Sequence, residues 1–500
     1  VISDPDYFVT YIGLMGIRYF MDVAHKIVLG LPTVLTVDQI ARLANDPASI
    51  VLADEFSARL DRVRELAASL SVSRPIYGRG TGVGANKGIA VTNPDTHALG
   101  LLRSHATSAG PLRSRPRVRA MLAVRCAQLA VGGSGIAPEI VQALVAMLNA
   151  DALPPVRELG SIGTADLCAL ATTALTLMGE IEPLVPTPVR FDENDALAFI
   201  SSNAATLGDA ALAVAALSRL ASTSLAVAAL TFTAIDGNAE AFSIPVQGVT
   251  PFPGAARVCA NLRGLLAEAP AGARIQDPFG LRVLPQVQGV LFDALATAAH
   301  TVEALVSSAS ENPVFDPTTG TVAHHGGFHF AYLATALDTM RSALAQSAQL
   351  HQARLANLID PTLTGLAAFL GNGTAAASGV MILEYVSASA LAPLRVGATP
   401  TAIQSLSISR GMEDDASFAS LGAALSLDAI APYRTVLACE LVAAVRAIRM
   451  RGLAPTGPIA ALLDACSNLP TSTADRNLSE DIAAADALLD ALGDQVRQVS

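Results

Sequence analysis

The sequence predicts a mainly α-helical bundle, and three observations carry that expectation. Apolar side chains recur at the i, i+3, i+4 and i+7 spacing of one helix face, while few segments alternate apolar and polar residues as strands do. Alanine and leucine, the best helix formers, fill those stretches, and small alanine faces let helices approach closely. Hydrophobic residues make up 52% of the 500 positions and charged ones 15%, with mean hydropathy +0.46.

Taken along the chain, residues 73–95 (SRPIYGRGTGVGANKGIAVTNPD) are dense in glycine with proline near both ends. No helix holds at that glycine density, so the segment reads as loop, either flexible or shaped around something. Ile140–Leu148 is a short amphipathic helix. Three longer ones are expected over Val290–Val306, Phe330–Leu358 and Ser417–Met450. No Pro/Gly/Ser linker or charge block divides the chain, although its length alone suggests several domains.

Such an apolar chain either crosses a membrane or buries much helix surface against other helices or subunits. The best membrane candidate, Ala210–Ile235, contains Arg219 and many Ser/Thr residues. No uninterrupted apolar run of about 18–20 residues stands out. Burial, in an oligomer, explains the composition better. Net charge is −11 and pI about 5.2; no basic face suggests a nucleic-acid partner, and no polybasic segment suggests anionic lipid. Five scattered cysteines read as reduced core residues. The N-terminus carries no signal-peptide pattern, so the cytoplasm is the expected compartment. The chain starts at Val1, which leaves room for a trimmed leader.

Several segments carry chemistry. They are Tyr77-Gly78-Arg79-Gly80-Thr81-Gly82-Val83-Gly84, Ser104-His105, Gly160-Ser161-Ile162-Gly163-Thr164-Ala165-Asp166-Leu167, Leu197-Ala198-Phe199-Ile200-Ser201-Ser202-Asn203, Ile275-Gln276-Asp277-Pro278-Phe279-Gly280-Leu281-Arg282, Ser310-Glu311-Asn312-Pro313, His324-His325-Gly326-Gly327-Phe328-His329 and Gly411-Met412-Glu413-Asp414-Asp415. The glycine string after Tyr77 is superficially a phosphate cradle. It lacks the Lys-Ser/Thr of that motif and the strand pattern of a βαβ unit, which leaves a surface loop or a lid. Three histidines within His324–His329 invite a metal, but Gly326-Gly327 disfavours the helix that would align His325 with His329, and no matching Cys/Asp cluster is evident. No metal is expected.

Together these motifs resemble, in order and over most of the chain, the histidine/phenylalanine ammonia-lyase family, the aromatic amino acid lyases. The resemblance implies an elongated helical bundle of the ammonia-lyase, fumarase/aspartase-like type, assembled as a homotetramer whose active sites draw loops from several subunits. It implies an N-terminal region over 1–200 holding a lid loop, and a long-helix bundle over 201–500, within one continuous fold. By the same resemblance Tyr77 is the lid base that takes a proton. Arg282 clamps a substrate carboxylate and Glu413 lies near the substrate amine. His105, Gln276, Asn312 and His329 line the pocket.

In that family an Ala-Ser-Gly triplet cyclises to methylidene-imidazolone, an electrophile built into the chain. Here Thr164-Ala165 stands where the triplet belongs, Ser201 replaces its supporting asparagine, and Phe279 replaces an assisting tyrosine. No cofactor is therefore expected, unless residue 165 stands for a cyclised tripeptide. A β-proton beside poor-leaving ammonia is too inert for acid–base help alone, worth about 10²–10⁴-fold, whereas an activated substrate is not. The leading expectation is a lyase, isomerase or cyclase that works without imidazolone. It would act on a small carboxylate-bearing molecule, with Thr164 and Ala165 at the reacting centre. A true imidazolone-dependent ammonia-lyase or aminomutase and a catalytically silent scaffold are the alternatives.

Overall fold

The computed structural model describes residues 26–30, 35–183, 188–272 and 274–499. The N-terminal stretch read above for leader patterns lies outside them. Helix dominates, with three two-stranded sheets at the periphery: Lys26–Leu29 parallel to Ser49–Leu52, Ala109–Leu112 antiparallel to Arg157–Leu159, and the hairpin Val314–Asp316 with Thr321–Ala323.

The helices that build the bundle and the site are α1 (Arg115–Val131), α2 (Leu167–Leu177), α3 (Ala204–Ala234), α4 (Phe279–Arg282), α5 (Leu284–Val306), α6 (Ala331–Leu358), α7 (Ala419–Asp428), α8 (Ile430–Met450) and α9 (Ser479–Val499). Helix α3 is the axis, and α1, α5, α7, α8 and α9 pack around it. It is apolar around most of its circumference because neighbours cover it; Arg219 is its one exposed residue. One buried apolar cluster runs from Leu29 to Val496, so the N-terminal and C-terminal parts share a core.

Local chemistry sets the helix ends. Proline at the first or second position opens α1 and α5, where its missing N–H costs nothing. Gly132 closes α1 at φ 81, the left-handed geometry that suits glycine. The start of α3 is capped from a distance: the Asp166 carboxylate accepts the Thr206 N–H at 2.7 Å and the Thr206 hydroxyl at 2.9 Å. A buried donor of the first turn is thereby satisfied.

The expected helices over 140–148, 290–306 and 330–358 are present. The one expected over Ser417–Met450 differs. It is two helices, α7 and α8, meeting at Ala429, and it begins only after Phe418, which sits at φ 48. The apolar pattern continues through that joint because both helices face the same core, so periodicity does not reveal it.

Two helical stretches, 196–234 and 284–306, are long and apolar enough to cross a membrane by length and composition. In the first, 78% of the apolar window is buried inside the chain, as expected of a bundle axis.

Where α1 crosses α3, Gly208 leaves no space for a side chain. An added Cβ lies 2.8 Å from the Met121 nitrogen and 2.9 Å from the Ala120 carbonyl carbon. Those atoms are backbone and cannot swing aside. Gly208→Ala is expected to destabilise the fold by about 1–3 kcal/mol, despite alanine's better helix propensity, with a lower midpoint in urea denaturation as the readout.

Beneath the bundle surface lies a buried polar network. Glu440 on α8 accepts from Arg354 Nε at 2.6 Å, from His351 Nδ1 at 2.5 Å and from the Thr231 hydroxyl at 2.7 Å. Nδ1 of His351 also lies 2.6 Å from Arg354 Nη2. A carboxylate only accepts, so Nδ1 carries its proton toward Glu440, and Arg354 Nη2 bonds Glu440 at 3.0 Å instead. Arg354 Nη1 donates to the Gly280 carbonyl at 3.0 Å, tying this network to α4.

Candidate functional site

The loops at one end of the bundle enclose a cavity of about 680 Å³. It is lined by the 77–87 loop, the end of the helix Pro94–His105, the Thr164–Leu167 turn, the short helix Ala196–Ile200 with Ser201, Asn312 with His324 and Phe328, and the Ser409–Glu413 turn. Seven candidate residues meet there within one chain: Tyr77, His105, Thr164, Ala165, Ser201, Asn312 and Glu413.

The lid segment is folded on itself. Gly78 takes φ 72, and a Cβ there would lie 2.0 Å from Leu197 Cδ2, so this turn requires glycine. The Gly84 N–H donates to the Tyr77 phenol oxygen at 2.7 Å. Burial nevertheless pushes the Tyr77 pKa up; the Gly84 bond opposes this, and nearby Glu413 adds to it. In this state Tyr77 is a protonated phenol at neutral pH, ready to give a proton before it takes one.

The 160s loop is pinned by hydrogen bonds to α7 and the residues before it. Ser417 Oγ donates to the Gly163 carbonyl at 3.0 Å, Ser420 Oγ to the Ser161 carbonyl at 3.0 Å, and the Phe418 N–H to the Ile162 carbonyl at 2.9 Å. Ala165 is buried at φ 129, a conformation side chains rarely adopt. The Asp166 N–H donates to the Ser202 carbonyl at 2.7 Å. Burial raises the Asp166 pKa against bonds from Ser161 and Thr206. No serine stands between Gly163 and Asp166, and Gly163 is held against Ser417 and Phe418. These residues do not fit an imidazolone made from Ala-Ser-Gly.

The neighbouring wall is a relay of polar contacts. Ser201 Oγ accepts the Asn312 N–H at 3.1 Å, and Asn312 Oδ1 accepts the His325 N–H at 2.9 Å. His325 Nε2 lies 2.7 Å from the Glu311 carbonyl. Asn203 does not stand in for Ser201: it is fully buried and donates to the Phe328 carbonyl. His105 Nδ1 lies 2.8 Å from the Leu101 carbonyl, which leaves Nε2 as its free ring nitrogen.

Gln276, Phe279, Arg282 and His329 do not line this cavity. Gln276 and Phe279 are exposed on and before α4. The Arg282 guanidinium stacks 4.4 Å over the Phe279 ring, and its buried Nε has no partner. His329 Nε2 sits 3.4 Å from Asp415 Oδ2 without hydrogen-bond alignment. Among the described residues, no three His, Cys, Asp or Glu side chains are grouped to hold a metal ion. Lys87 and His324 also line the cavity. No motif marks Lys87; its signal in the sequence is the rarity of lysine.

A family model described as aromatic amino acid lyase matches residues 35–468. A histidine ammonia-lyase of Stigmatella aurantiaca is 32% identical over 484 residues, covering 91% of this chain and 95% of the relative. Among solved structures, Pantoea agglomerans phenylalanine aminomutase superimposes with a TM-score of 0.86 at 27% identity, over 93% of this chain and 98% of that one. Ergothionase of Treponema denticola, an ergothioneine-degrading enzyme, also reaches 0.86, at 22% identity over 93% and 99%. At that identity the likeness is one of fold.

Proposed function

We propose that this chain, which belongs to the aromatic amino acid lyase family, is a lyase, isomerase or cyclase that works without an imidazolone electrophile. Its substrate is a small carboxylate-bearing molecule with either an acidic C–H or a good leaving group. The observation that supports this reading is the sequence Thr164-Ala165, with no serine between Gly163 and Asp166, in a cavity also lined by Tyr77 and Glu413. Tyr77 moves the proton. The Gly84 N–H steadies the phenol oxygen and would stabilise it as phenolate. Glu413 faces the substrate's positive or proton-bearing end. General acid–base help of this kind suits an activated substrate.

The working form is proposed as a homotetramer. Tyr332, Ile382, Tyr385 and Val396 are large apolar side chains left more than half exposed on α6 and the helix Ile382–Gly397, the kind of surface a subunit covers. Such packing would also bring Arg282 of one copy toward the cavity of another. The five cysteines are all unpaired, in keeping with a cytoplasmic setting.

Intact-protein mass spectrometry with an activity panel tests the reading. The expected mass is that of the written sequence, with no turnover of histidine, phenylalanine or tyrosine. A mass short by two waters, or increased by an unwritten Ser-Gly less two waters, together with release of the unsaturated acid, would overturn it.

A further inference from the structure

Residues 76–80 open the lid segment, and they are gripped from several directions within one chain. Ile76 is buried with Val63, Ala67 and Phe315 in a small apolar cluster apart from the main core. The Arg79 and Gly80 N–H groups both donate to the Ile76 carbonyl at 3.2 Å, which makes a tight turn with Tyr77 and Gly78 at its corners. The Tyr77 N–H donates to His324 Nε2 at 3.2 Å, and His97 Nε2 lies 3.3 Å from the Gly78 carbonyl.

Arg79 reaches deepest. It is only 5% exposed. Its Nη2 donates to the Ser134 carbonyl at 2.5 Å, its Nη1 to Asn194 Oδ1 at 3.0 Å, and its guanidinium lies 4.6 Å over the Phe315 ring. Burial lowers its pKa to about 10, with Asp195 opposing, so it is charged at neutral pH. Gly135, at φ 69, leaves the room it occupies: a Cβ there would lie 3.0 Å from Arg79 Nη2. A buried cation with no carboxylate bonded to it is a poor way to fill space, since a methionine would also pack on Phe315. What a guanidinium adds is direction. Its two bonds and its stacked plane fix angle as well as position. Arg79 stands two residues from Tyr77, a reach of about 7 Å at most, so the seat of one sets the place of the other.

We propose that Arg79 is the positioning residue for Tyr77: its guanidinium, locked between Ser134, Asn194 and Phe315, holds the root of the lid so that the phenol meets the cavity. The assignment rests on the reading of Tyr77 as the group that moves the proton. Arg79 itself does not line the cavity, so it acts through Tyr77 and not on substrate. It needs nothing from a second subunit, because each of its contacts lies within one chain.

Nitration by tetranitromethane tests the assignment. The reagent attacks the phenolate, so labelling followed against pH by peptide mass spectrometry reports the ionisation of each tyrosine. In Arg79→Met the Tyr77 profile is expected to move to lower pH, toward an ordinary phenol, because Tyr77 leaves its buried seat. Each unit of that shift is about tenfold in labelling rate at fixed pH. The sign separates two roles, since loss of a cation acting only through its charge would move the profile to higher pH. Tyr433, fully buried elsewhere in the bundle, should label as in the parent and so report an intact core. Arg79→Lys, which keeps the charge and a long stem, should fall between the two. On any substrate the parent turns over, kcat of Arg79→Met should drop about 10²-fold with KM little changed. If Arg79→Met does not fold, Asn194→Ala removes one acceptor and should move Tyr77 the same way by less. A Tyr77 profile that is unchanged or shifted to higher pH in these variants overturns the assignment and leaves the proposed function standing. A shift to lower pH with kcat unchanged upholds the seat and overturns Tyr77 as the proton-transfer group.

Discussion

Tyr77→Phe is expected to lower kcat/KM by about 10²–10⁴-fold on whichever substrate the activity panel identifies. The substitution removes one oxygen. That oxygen is the acceptor of the Gly84 N–H at 2.7 Å and the cavity group poised to carry a proton. Binding of a substrate that does not react should change little, because the ring and its packing remain. The effect therefore belongs in kcat and not in affinity. Because burial and Glu413 hold the phenol in its protonated form, the rate of the parent protein should still be rising above neutral pH if Tyr77 acts as a base. The same logic gives a flat or falling profile if it acts as an acid. A Tyr77→Phe protein with the parent's kcat/KM would remove Tyr77 from the chemistry. A parent with no turnover of any substrate would mark a silent shell.

Glu440→Gln should cost about 3–5 kcal/mol of stability, the usual consequence of stripping one partner from a buried ion pair. Shape is nearly preserved and only charge is lost, so the cost reports the stranded Arg354 guanidinium, which is fully buried. Glu440→Gln combined with Arg354→Met should recover part of the loss, since a neutral pair needs no counter-charge. A single variant as stable as the parent in urea would refute the account.

The same network sets an acid limit. Burial, reinforced by Arg354, drives the His351 pKa down to about 4 from 6.5. Burial alone would raise Glu440, but Arg354 and His351 outweigh it and bring it down to about 2 from 4.5. Both groups are depressed in the folded state, so the unfolded chain binds protons more readily as pH falls. Stability from His351 is complete above 6.5 and drains toward 4; that from Glu440 drains between 4.5 and 2. The urea midpoint should therefore fall steadily with acidification below about pH 6.5.

Much of this was legible before any coordinates, and the exceptions have physical reasons. Helical spacing locates α5 and α6 because each buries one continuous stripe. It fails at Ala429, where two helices share a core and the apolar pattern runs on, although Pro432 in the first turn of α8 marks the joint. Motif order runs through Tyr77, His105, Ser201, Asn312 and Glu413, which share one cavity, but a linear pattern does not say which loops fold toward it, and Gln276, Phe279, Arg282 and His329 lie outside its lining. His351 and Arg354 were invisible as a network because polar residues on an Ala/Leu helix normally face water, and their partner Glu440 is 86 residues beyond Arg354. Lys87 belongs to no pattern; only a count of its residue type singles it out.

The pocket draws its walls from positions 77 and 413 at once. Secondary structure needs no such reunion. During renaturation, ellipticity should return early, while ligand recognition waits for the slow search that joins distant segments. Fragments cut between those segments would thus be coiled yet incompetent, which makes recovery of recognition a stricter gauge of correct topology than any spectrum of the backbone.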